Sequence, residues 1–179
     1  MFVGGCARKF LTNETVDDID IATIFSPEEI KERFKGSKFK IIDTGIEHGS
    51  ITAVTNSNKF EITTLRQDVK TDGRHAEISF INNWERDSER RDFTINAIYM
   101  DIRGKIYDPQ NGTDDLKNNK INFIGDPSTR IEEDYLRIIR YLRFCVQYSI
   151  QHSEFKIINA IKLNLNGIHN LSKERILNE

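Results

Sequence analysis

Two aspartates near the start of the chain stand where a buried strand would normally avoid charge. Asp18 and Asp20 lie in the stretch "VDDIDIAT", whose β-branched residues predict a strand. Strand side chains alternate between two faces, so these two carboxylates share a face that Asp17 does not share. Two carboxylates so close repel each other unless a cation lies between them. Mg²⁺ prefers such oxygen ligands and completes its coordination with water and phosphate.

The aspartate pair alone does not establish a metal site. The spacing D-x-D is common, and the same residues would suit a turn or the solvated end of a strand. If two metal ions are bound there, they would activate an attacking hydroxyl and stabilise a pyrophosphate leaving group. On these residues alone, both interpretations stay open.

A glycine turn precedes the aspartates. In "FVGGCAR", Gly4 and Gly5 follow a short predicted strand, and Arg8 falls in the first turns of a predicted helix. Glycine lets the backbone approach a ligand, and free N–H groups at the start of a helix attract phosphate. Arg8 would add a bidentate phosphate contact. A plain glycine turn is the alternative, but the paired aspartates downstream favour a triphosphate cradle beside a metal site.

The composition fits a packed protein. The 179 residues are 37% hydrophobic and 30% charged, with a formal net charge of −2, so any basic surface for a polyanion must come from clustering. Cys6 and Cys145 show neither metal spacing nor a disulfide pattern, which favours a reducing, cytoplasmic compartment. No run is long and apolar enough for a membrane span, so no membrane partner is expected.

Short strands and helices must position these groups. Around the glycine turn, the sequence predicts strands at 1–3 and 18–22 and a helix at 6–11. A second helix at 26–34 has Ser26 as its N-cap. Downstream, the patterns predict strands at 38–43, 50–54, 59–65, 76–80, 105–108 and 121–125, a charged loop at 66–75, and a mostly helical stretch at 83–101 with a break near Asp92.

From about residue 126 the pattern becomes helical. Apolar residues recur at helical spacing, at Ile131, Tyr135, Ile138, Leu142 and Cys145, and further helices are predicted at 153–165 and from Ser172. The order of elements therefore predicts an α+β head followed by an all-helical segment.

Asp134 and Arg137 lie three residues apart, so the helix pattern places them on one face. A carboxylate accepts hydrogen bonds and a guanidinium donates them, which matches one edge of cytosine and adenine and opposes that of uracil and guanine. An ordinary ion pair on a helix is the alternative interpretation.

Five motifs in one order carry a resemblance to a known family. They are "GGCAR", "DIDIAT", "RRDFTINAIYMD" at 90–101, "YDPQNGTDDL" at 107–116 and "RIEEDYLRIIRYLRF" at 130–144. Together they closely resemble the class II tRNA nucleotidyltransferases (CCA-adding enzymes) and bacterial poly(A) polymerases, over nearly the whole chain.

The resemblance implies a fold and a domain division. It implies an α+β, polymerase-β-like nucleotidyltransferase head with a mixed, mainly antiparallel sheet flanked by helices, followed by an all-α segment. Residues 1–125 would form the head, without the first helix usual in the family. Residues 126–179 would form the helical neck that recognises the nucleotide, and the tRNA-binding body and tail are expected after residue 179.

The resemblance also implies residue roles. Asp18 and Asp20 match the catalytic ligands of Mg²⁺, of which two ions are expected. The remaining matches bind the nucleotide: Gly4, Gly5 and Arg8 at the triphosphate, Arg91 and Asp92 at the incoming nucleotide with Asp92 near the ribose hydroxyls, Asn96 beside them, Asp134 and Arg137 at the base, and Arg140 as a further contact. "LSKER" at 171–175 resembles the motif that orients the base-reading pair, and Lys9 departs from the acidic residue usual at its position.

The implied activity is template-independent addition of CMP and AMP, from CTP and ATP, to the 3′ end of tRNA. Polyadenylation of RNA 3′ ends is the alternative within the family. A non-catalytic remnant of a split gene, binding nucleotide or a separately encoded C-terminal half, is the alternative of another class. Because both ends of the sequence look interrupted, we expect this chain alone to add few or no nucleotides.

The charged stretch at 66–75 has two interpretations. It could carry a mobile lid that shapes nucleotide choice, or it could be an ordinary solvated loop. The candidate lid residues are Arg66, Asp68, Lys70, Asp72 and Arg74.

Overall fold

A computed structural model of the chain describes residues 1–71, 76–151 and 154–179. Seven strands form one sheet, and two more form a separate two-stranded sheet. The strands are β1 (Phe2–Val3), β2 (Ile19–Thr23), β3 (Lys40–Gly45), β4 (Ser50–Val54), β5 (Lys59–Thr64), β6 (Arg66–Thr71), β7 (Ala76–Phe80), β8 (Tyr99–Met100) and β9 (Ile106–Tyr107).

The large sheet has the strand order β3-β4-β5-β2-β1-β8-β9. Only β2 and β5 pair in parallel, whereas the other neighbours are antiparallel. The predicted mixed, mainly antiparallel sheet is therefore confirmed. Because β2 lies in the middle of this sheet, the carboxylates of "DIDIA" are held by strands on both sides.

Eight α-helices surround or follow the sheet in the described ranges. They are α1 (Gly5–Leu11), α2 (Pro27–Phe34), α3 (Trp84–Glu89), α4 (Gly112–Lys117), α5 (Pro127–Glu133), α6 (Leu136–Gln147), α7 (Phe155–Asn164) and α8 (Lys173–Leu177). The predicted N-cap of α2 is confirmed, since the Ser26 hydroxyl accepts from the Glu29 N–H and Glu29 accepts from the Ser26 N–H. From Pro127 onward the described residues form helices and no strand.

The loop predicted at 66–75 is wrong over its first part. Residues Arg66–Thr71 form β6, which pairs antiparallel with β7. These residues are charged and do not alternate between polar and apolar, so their pattern does not predict a strand. The strand forms because backbone hydrogen bonds to a partner strand stabilise it whatever its side chains. Asp72 and Arg74 lie outside the described residues.

The mostly helical stretch predicted at 83–101 is also wrong in part. Helix α3 ends at Glu89, a 3₁₀ turn covers Thr94–Asn96, and β8 follows. Phe93 is extended and fully buried, so burial in the core overrides helix propensity here. The strand predicted at 121–125 reduces to an isolated bridge between Phe93 and Phe123.

The continuous helical pattern after residue 126 covers two helices, α5 and α6, with a break between them. Asp134 ends α5 in an extended conformation (φ −156°, ψ 106°), and α6 begins at Leu136. The apolar spacing runs through the break because Ile131 and Ile138, on different helices, are both fully buried in the same cluster. The prediction that Asp134 and Arg137 share one helix face is therefore wrong.

One core cluster spans the predicted boundary at residue 125. Phe93 and Phe123 from the head pack with Tyr141 and Phe144 from α6. The helical segment is therefore attached to the head by buried aromatic contacts as well as by the chain. Within the described ranges, no helix combines the length and apolar character needed to cross a membrane.

Candidate active site

A cleft of about 650 Å³ lies where the glycine turn, the Arg91–Asn96 segment and the helices meet. It gathers ten of the eleven predicted site residues, and the eleventh, Asp18, lies beside it. The lining residues are Gly4, Gly5, Arg8, Asp20, Arg90, Arg91, Asp92, Asn96, Asp134, Arg137, Arg140, Arg143, Phe144, Asn178 and Glu179. Six of these are arginines, so the basic residues cluster here despite the net negative charge of the chain.

The glycine turn forms one wall of the cleft. Gly4 has φ +67° and precedes α1, and its N–H donates to the Ile98 carbonyl over 3.3 Å. A Cβ atom built on Gly4 would lie 3.7 Å from Arg91 Nη1 and 3.9 Å from Asp20 Oδ2. Glycine is therefore required by the positive φ, and its bare backbone lies where the predicted metal and phosphate groups meet.

Arg8 is held from three sides. It is only 5% exposed, its Nε donates to Tyr148 Oη over 2.7 Å, and its Nη1 donates to Asn96 Oδ1. Its guanidinium also lies 4.7 Å from the centre of the Phe144 ring, a cation–π contact. The arginine predicted for the triphosphate is thus fixed between the head and α6.

Asp92 lies at the centre of the cleft's polar network. Asn96 Nδ2 donates to Asp92 Oδ1 over 2.9 Å, and Arg140 Nη1 donates to Asp92 Oδ2 over 2.7 Å. Burial alone would raise the pKa of Asp92, but Arg140 and Asn96 outweigh burial and lower this pKa. Asp92 therefore stays charged and connects the head to α6.

A smaller cavity of about 210 Å³ next to the cleft is lined by Asp18, Asp20, Lys59 and Glu61, together with Ile19. Asp20 and Glu61 are directly opposite each other in the parallel β2–β5 pair. Burial raises the pKa of Asp20, and the nearby carboxylates of Glu61 and Asp18 raise it further. The strand register thus collects negative charge beside the glycine turn.

These carboxylates fit a hard cation in chemistry and charge. Their oxygens are ligands that Mg²⁺ prefers, and a cation would relieve the repulsion that raises the pKa of Asp20. In the described part of the chain, no three His, Cys, Asp or Glu side chains converge closely enough to hold an ion by themselves. A metal at this place would therefore need oxygens from water and from a bound phosphate as well.

The predicted base-reading residues have other partners in this structure. Arg175 Nη2 donates to both oxygens of Asp134, over 2.9 and 3.1 Å. Arg137 Nη1 donates to Glu133 Oε2 over 2.6 Å and to the Arg130 carbonyl over 2.5 Å. Both side chains line the same cleft, although Asp134 lies at the break between α5 and α6 and Arg137 lies in the first turn of α6. The "LSKER" motif, through Arg175, is in contact with Asp134.

Glu179 also lines the cleft and pairs with two arginines of α6. Its carboxylate accepts from Arg140 over 2.9–3.1 Å and from Arg143 over 2.7–3.0 Å. Arg140, predicted as a nucleotide contact, is therefore shared between Asp92 and Glu179.

Several site residues were missed from the sequence. Glu61 had a signal, because a carboxylate in the predicted strand "KFEITTL" is as unusual as Asp20 in its own strand. Tyr148 had none, because its bond to Arg8 joins residues 140 positions apart. Arg143 and Glu179 likewise meet only through the packing of helices.

The residues predicted for a lid are placed only in part. Arg66 is half-buried, and its Nη1 donates to the His48 carbonyl. Burial, together with neighbouring Arg90, lowers the pKa of Arg66 to about 10. Arg66 is thus anchored at the base of β6, whereas Asp68 is exposed. The side chain of Lys70 lies outside the described residues, so the lid stays a prediction.

Comparison with known proteins decides the family. The sequence profile of the Poly A polymerase head domain matches residues 1–122. The chain belongs to this family. Among similar proteins of the family, the CCA tRNA nucleotidyltransferase 1, mitochondrial, of Homo sapiens is 45% identical over 177 residues, which are 97% of this chain and 41% of that protein. The CCA-adding enzyme of Lactobacillus helveticus is 44% identical over 183 residues, which are 99% of this chain and 44% of that protein.

Solved structures agree with this membership. A CCA-adding enzyme of Bacillus stearothermophilus, in complex with CTP, matches with a TM-score of 0.85 and 34% identity, over 98% of this chain and 41% of that one. A tRNA nucleotidyltransferase complexed with a primer tRNA and an incoming ATP analog matches with a TM-score of 0.78 and 25% identity. The head-domain fold and the family resemblance are thus confirmed, and the chain spans about two fifths of the length of the curated relatives.

Proposed function

We propose that this chain is the nucleotide-binding and catalytic part of a CCA-adding tRNA nucleotidyltransferase. It would transfer CMP and AMP from CTP and ATP to the 3′ end of tRNA. The observation that carries this proposal is one cleft in which Gly4, Asp20 and Arg91 lie close together and which Asp134 and Arg137 also line. The first group, called the phosphate end, suits phosphates and a metal, and the second, called the base end, suits a base.

The phosphate end would bind and orient the triphosphate. The backbone at Gly4 lets phosphate oxygens approach, and Arg8 and Arg91 supply fixed guanidinium groups that stabilise the pyrophosphate as it leaves. Asp92 and Asn96 would face the sugar, with Arg140 setting the position of Asp92. Catalysis on this account is mostly positioning of the α-phosphate in line with the RNA 3′-hydroxyl.

We assign Asp18 and Asp20 as the ligands of Mg²⁺, with Glu61 beside them. Mg²⁺ bound there supplies activation of the 3′-hydroxyl and neutralises charge on the leaving pyrophosphate. The support from this chain is the set of carboxylates on neighbouring strands and the raised pKa of Asp20.

The base end would select C and A over U and G. Asp134 is an acceptor and Arg137 a donor, so together they complement an amine donor next to a ring acceptor. Arg175 holds the Asp134 carboxylate in place through a bidentate contact. A wrong base leaves polar groups unpaired, which costs about 1–3 kcal/mol for each group.

The tRNA is the proposed RNA partner, and we infer that regions outside the matched two fifths of the relatives are needed to hold it. A primer tRNA is present in the structure of one similar enzyme. In this chain Val146 and Leu177, on α6 and α8, are 81% and 84% exposed, which suits packing against further helices. We propose that residues 126–179 form the helical neck, that a separately encoded C-terminal half supplies those helices, and that the protein acts in the cytoplasm.

Polyadenylation is the second candidate, because the matching family profile itself carries the name of poly(A) polymerases. Both activities use the same phosphate and metal groups. They differ in whether CMP is added before AMP, so the order of nucleotides incorporated separates them.

Equilibrium binding of the four nucleoside triphosphates to the purified chain tests the nucleotide site. In the presence of Mg²⁺ we expect CTP and ATP to bind at least about tenfold more tightly than UTP and GTP. The double variant Asp18→Ala/Asp20→Ala should lose the Mg²⁺-dependent part of this affinity. Equal binding of all four nucleotides, or no effect of the double variant, contradicts the proposal.

A further inference from the structure

A fully buried carboxylate lies behind the nucleotide cleft. Asp87, on α3, accepts from Arg90 Nε over 2.9 Å, from Arg91 Nη2 over 3.1 Å, and from the Tyr99 hydroxyl over 2.7 Å. It also accepts from the backbone N–H of Arg66 over 3.1 Å. Burial alone would raise the pKa of Asp87, but Arg90 and Arg91 outweigh it and lower this pKa, so Asp87 is charged.

Asp87 and Tyr99 together fix one edge of Arg91. Arg91 Nη2 donates to Asp87, and Arg91 Nε donates to Tyr99 Oη over 3.1 Å. The remaining nitrogen, Nη1, is 3.4 Å from the Asn96 carbonyl and 3.7 Å from the Cβ position at Gly4. Asp87 and Tyr99 therefore hold Nη2 and Nε of the guanidinium, and Nη1 lies at the Gly4 turn where phosphate is expected.

The charge balance of this cluster favours a role in binding. Asp87 is one carboxylate in ion pairs with two guanidinium groups, those of Arg90 and Arg91, and it also accepts from the backbone N–H of Arg66. Asp87 can therefore neutralise only one of the two arginines that it contacts, which leaves positive charge next to the cleft. A polyphosphate is the ligand class that such an excess suits.

We propose that Asp87 is a positioning residue that acts through Arg91, holding its guanidinium at the Gly4 turn for the phosphates of a nucleoside triphosphate. This inference rests on the proposed function, in which Arg91 contacts the nucleotide. Asp87 itself does not line the cleft.

The test compares affinities for ATP and AMP in Mg²⁺ between the wild-type chain and the variants Asp87→Asn, Arg91→Ala and Asp87→Asn/Arg91→Ala. Asparagine keeps the shape of Asp87 and one oxygen for the Arg66 N–H, but removes the charge. Asp114→Asn is the matched control, because Asp114 also makes an i,i+3 ion pair but is exposed. Unfolding curves of each variant show that it is folded.

For Asp87→Asn we expect ATP affinity to fall on the order of tenfold and AMP affinity to stay within about twofold. In the Arg91→Ala background, Asp87→Asn should cause no further loss of ATP affinity beyond about twofold. A purely structural role would instead weaken ATP and AMP alike, or give effects that add.

Three outcomes overturn the inference: a folded Asp87→Asn chain with wild-type ATP affinity, equal losses for ATP and AMP, or fully additive effects with Arg91→Ala. If Asp87→Asn does not fold, Tyr99→Phe gives the second test, since it removes only the hydroxyl between Asp87 and Arg91. Unchanged ATP affinity of the Tyr99→Phe chain then overturns the inference. If the wild-type chain binds no ATP, the proposed function fails together with the inference; the other outcomes overturn the inference alone.

Discussion

At the scale of single residues, Asp92 connects the two halves of the candidate site. Its carboxylate accepts hydrogen bonds from Asn96 and from Arg140 on α6. Asn96 in turn accepts a hydrogen bond from Arg8. The side chain of Asp92 is only 10% exposed, so its charge is neutralised by protein groups more than by solvent. Removing this charge should therefore be costly, although Arg140 keeps Glu179 as a second partner.

Replacing Asp92 with asparagine should lower the free energy of unfolding by about 2–3 kcal/mol at neutral pH. The folded-state pKa of Asp92 is lower than the ordinary aspartate pKa of 3.8. The stability that Asp92 contributes is therefore present above pH 3.8 and is lost as the pH falls through the folded-state pKa. Urea unfolding between about pH 7 and about pH 3 should show the difference between wild type and variant shrinking in acid. A constant difference across this range would contradict the assigned charge, and Asp114→Asn serves as the exposed control.

Asp134 is the residue on which base selection should depend most. Replacing it with alanine should reduce the ratio of CTP to UTP affinity by about tenfold, because the acceptor for the amine is lost. Glu132→Ala, an exposed carboxylate on α5, is the control and should leave the ratio unchanged. Competition binding measures the ratio directly, and an unaltered ratio in Asp134→Ala would remove this residue from base reading.

Residue types predicted much of the site before the structure. Alternation predicted that Asp18 and Asp20 share a face, and the glycine turn with Arg8 indicated phosphate; Asp20, Gly4, Gly5 and Arg8 line one cleft, and Asp18 lines the cavity next to it. Contacts across long sequence separations could not be predicted this way. The Tyr148–Arg8 bond, the Glu179 contacts and the Tyr99–Asp87 bond all depend on how elements pack, which residue spacing does not encode.

At the scale of elements, α4 supports the 3₁₀ turn Thr94–Asn96 by close backbone approach. A Cβ atom built on Gly112 would lie 2.1 Å from the Thr94 carbonyl oxygen and 2.6 Å from its carbon. These are backbone atoms, which cannot rotate away. The "PQNG" turn therefore needs glycine for packing, and the turn that carries Asn96 depends on it.

Gly112→Ala should destabilise the chain by about 2–4 kcal/mol and also weaken ATP binding, because α4 or Asn96 must move. Gly45→Ala is the matched control, since its added Cβ would meet only ordinary contacts at 3.7 Å from Ser50 Cβ. Thermal unfolding of both variants gives the comparison. Equal stability of the two variants would show that the α4 contact is not tight.

The patterns predicted elements well where burial and local pattern agree. Helix α2 and the β4–β5 hairpin are where the sequence places them. The sequence patterns failed where tertiary contacts determine the local structure. Strand β6 forms because it pairs with β7, and the buried Phe93 interrupts a helical pattern. Asp134 breaks a helix whose apolar spacing is continuous because two helices share one core.

At the scale of the whole molecule, the head and the helical segment are coupled through Arg8, the arginine proposed to bind phosphate. Tyr148, near the end of α6, accepts from Arg8 and donates to Glu14 over 3.2 Å, and Gln147 donates to Glu14 over 2.9 Å. The same arginine packs on Phe144. Binding of phosphate at Arg8 should therefore depend on how the helices dock.

Tyr148→Phe should lower the free energy of unfolding by about 1 kcal/mol and weaken ATP binding several-fold, because Arg8 loses one of its anchors while the ring is kept. Tyr107→Phe, at a tyrosine that is 41% exposed on the edge strand β9, is the control. Calorimetric titration with ATP measures both variants. A loss of stability without any loss of ATP affinity would separate helix docking from phosphate binding.

The proposed function is that this cleft adds CMP and AMP to tRNA and that the reaction requires Asp18 and Asp20. Its most direct test uses a chimera in which this chain replaces the matched region of the human relative, with tRNA lacking its CCA end, Mg²⁺, and labelled CTP and ATP. We predict ordered addition of C, C and A, and a loss of at least about a thousandfold in rate with Asp18→Asn/Asp20→Asn. Runs of AMP without CMP, or activity that survives in the double variant, would contradict this account.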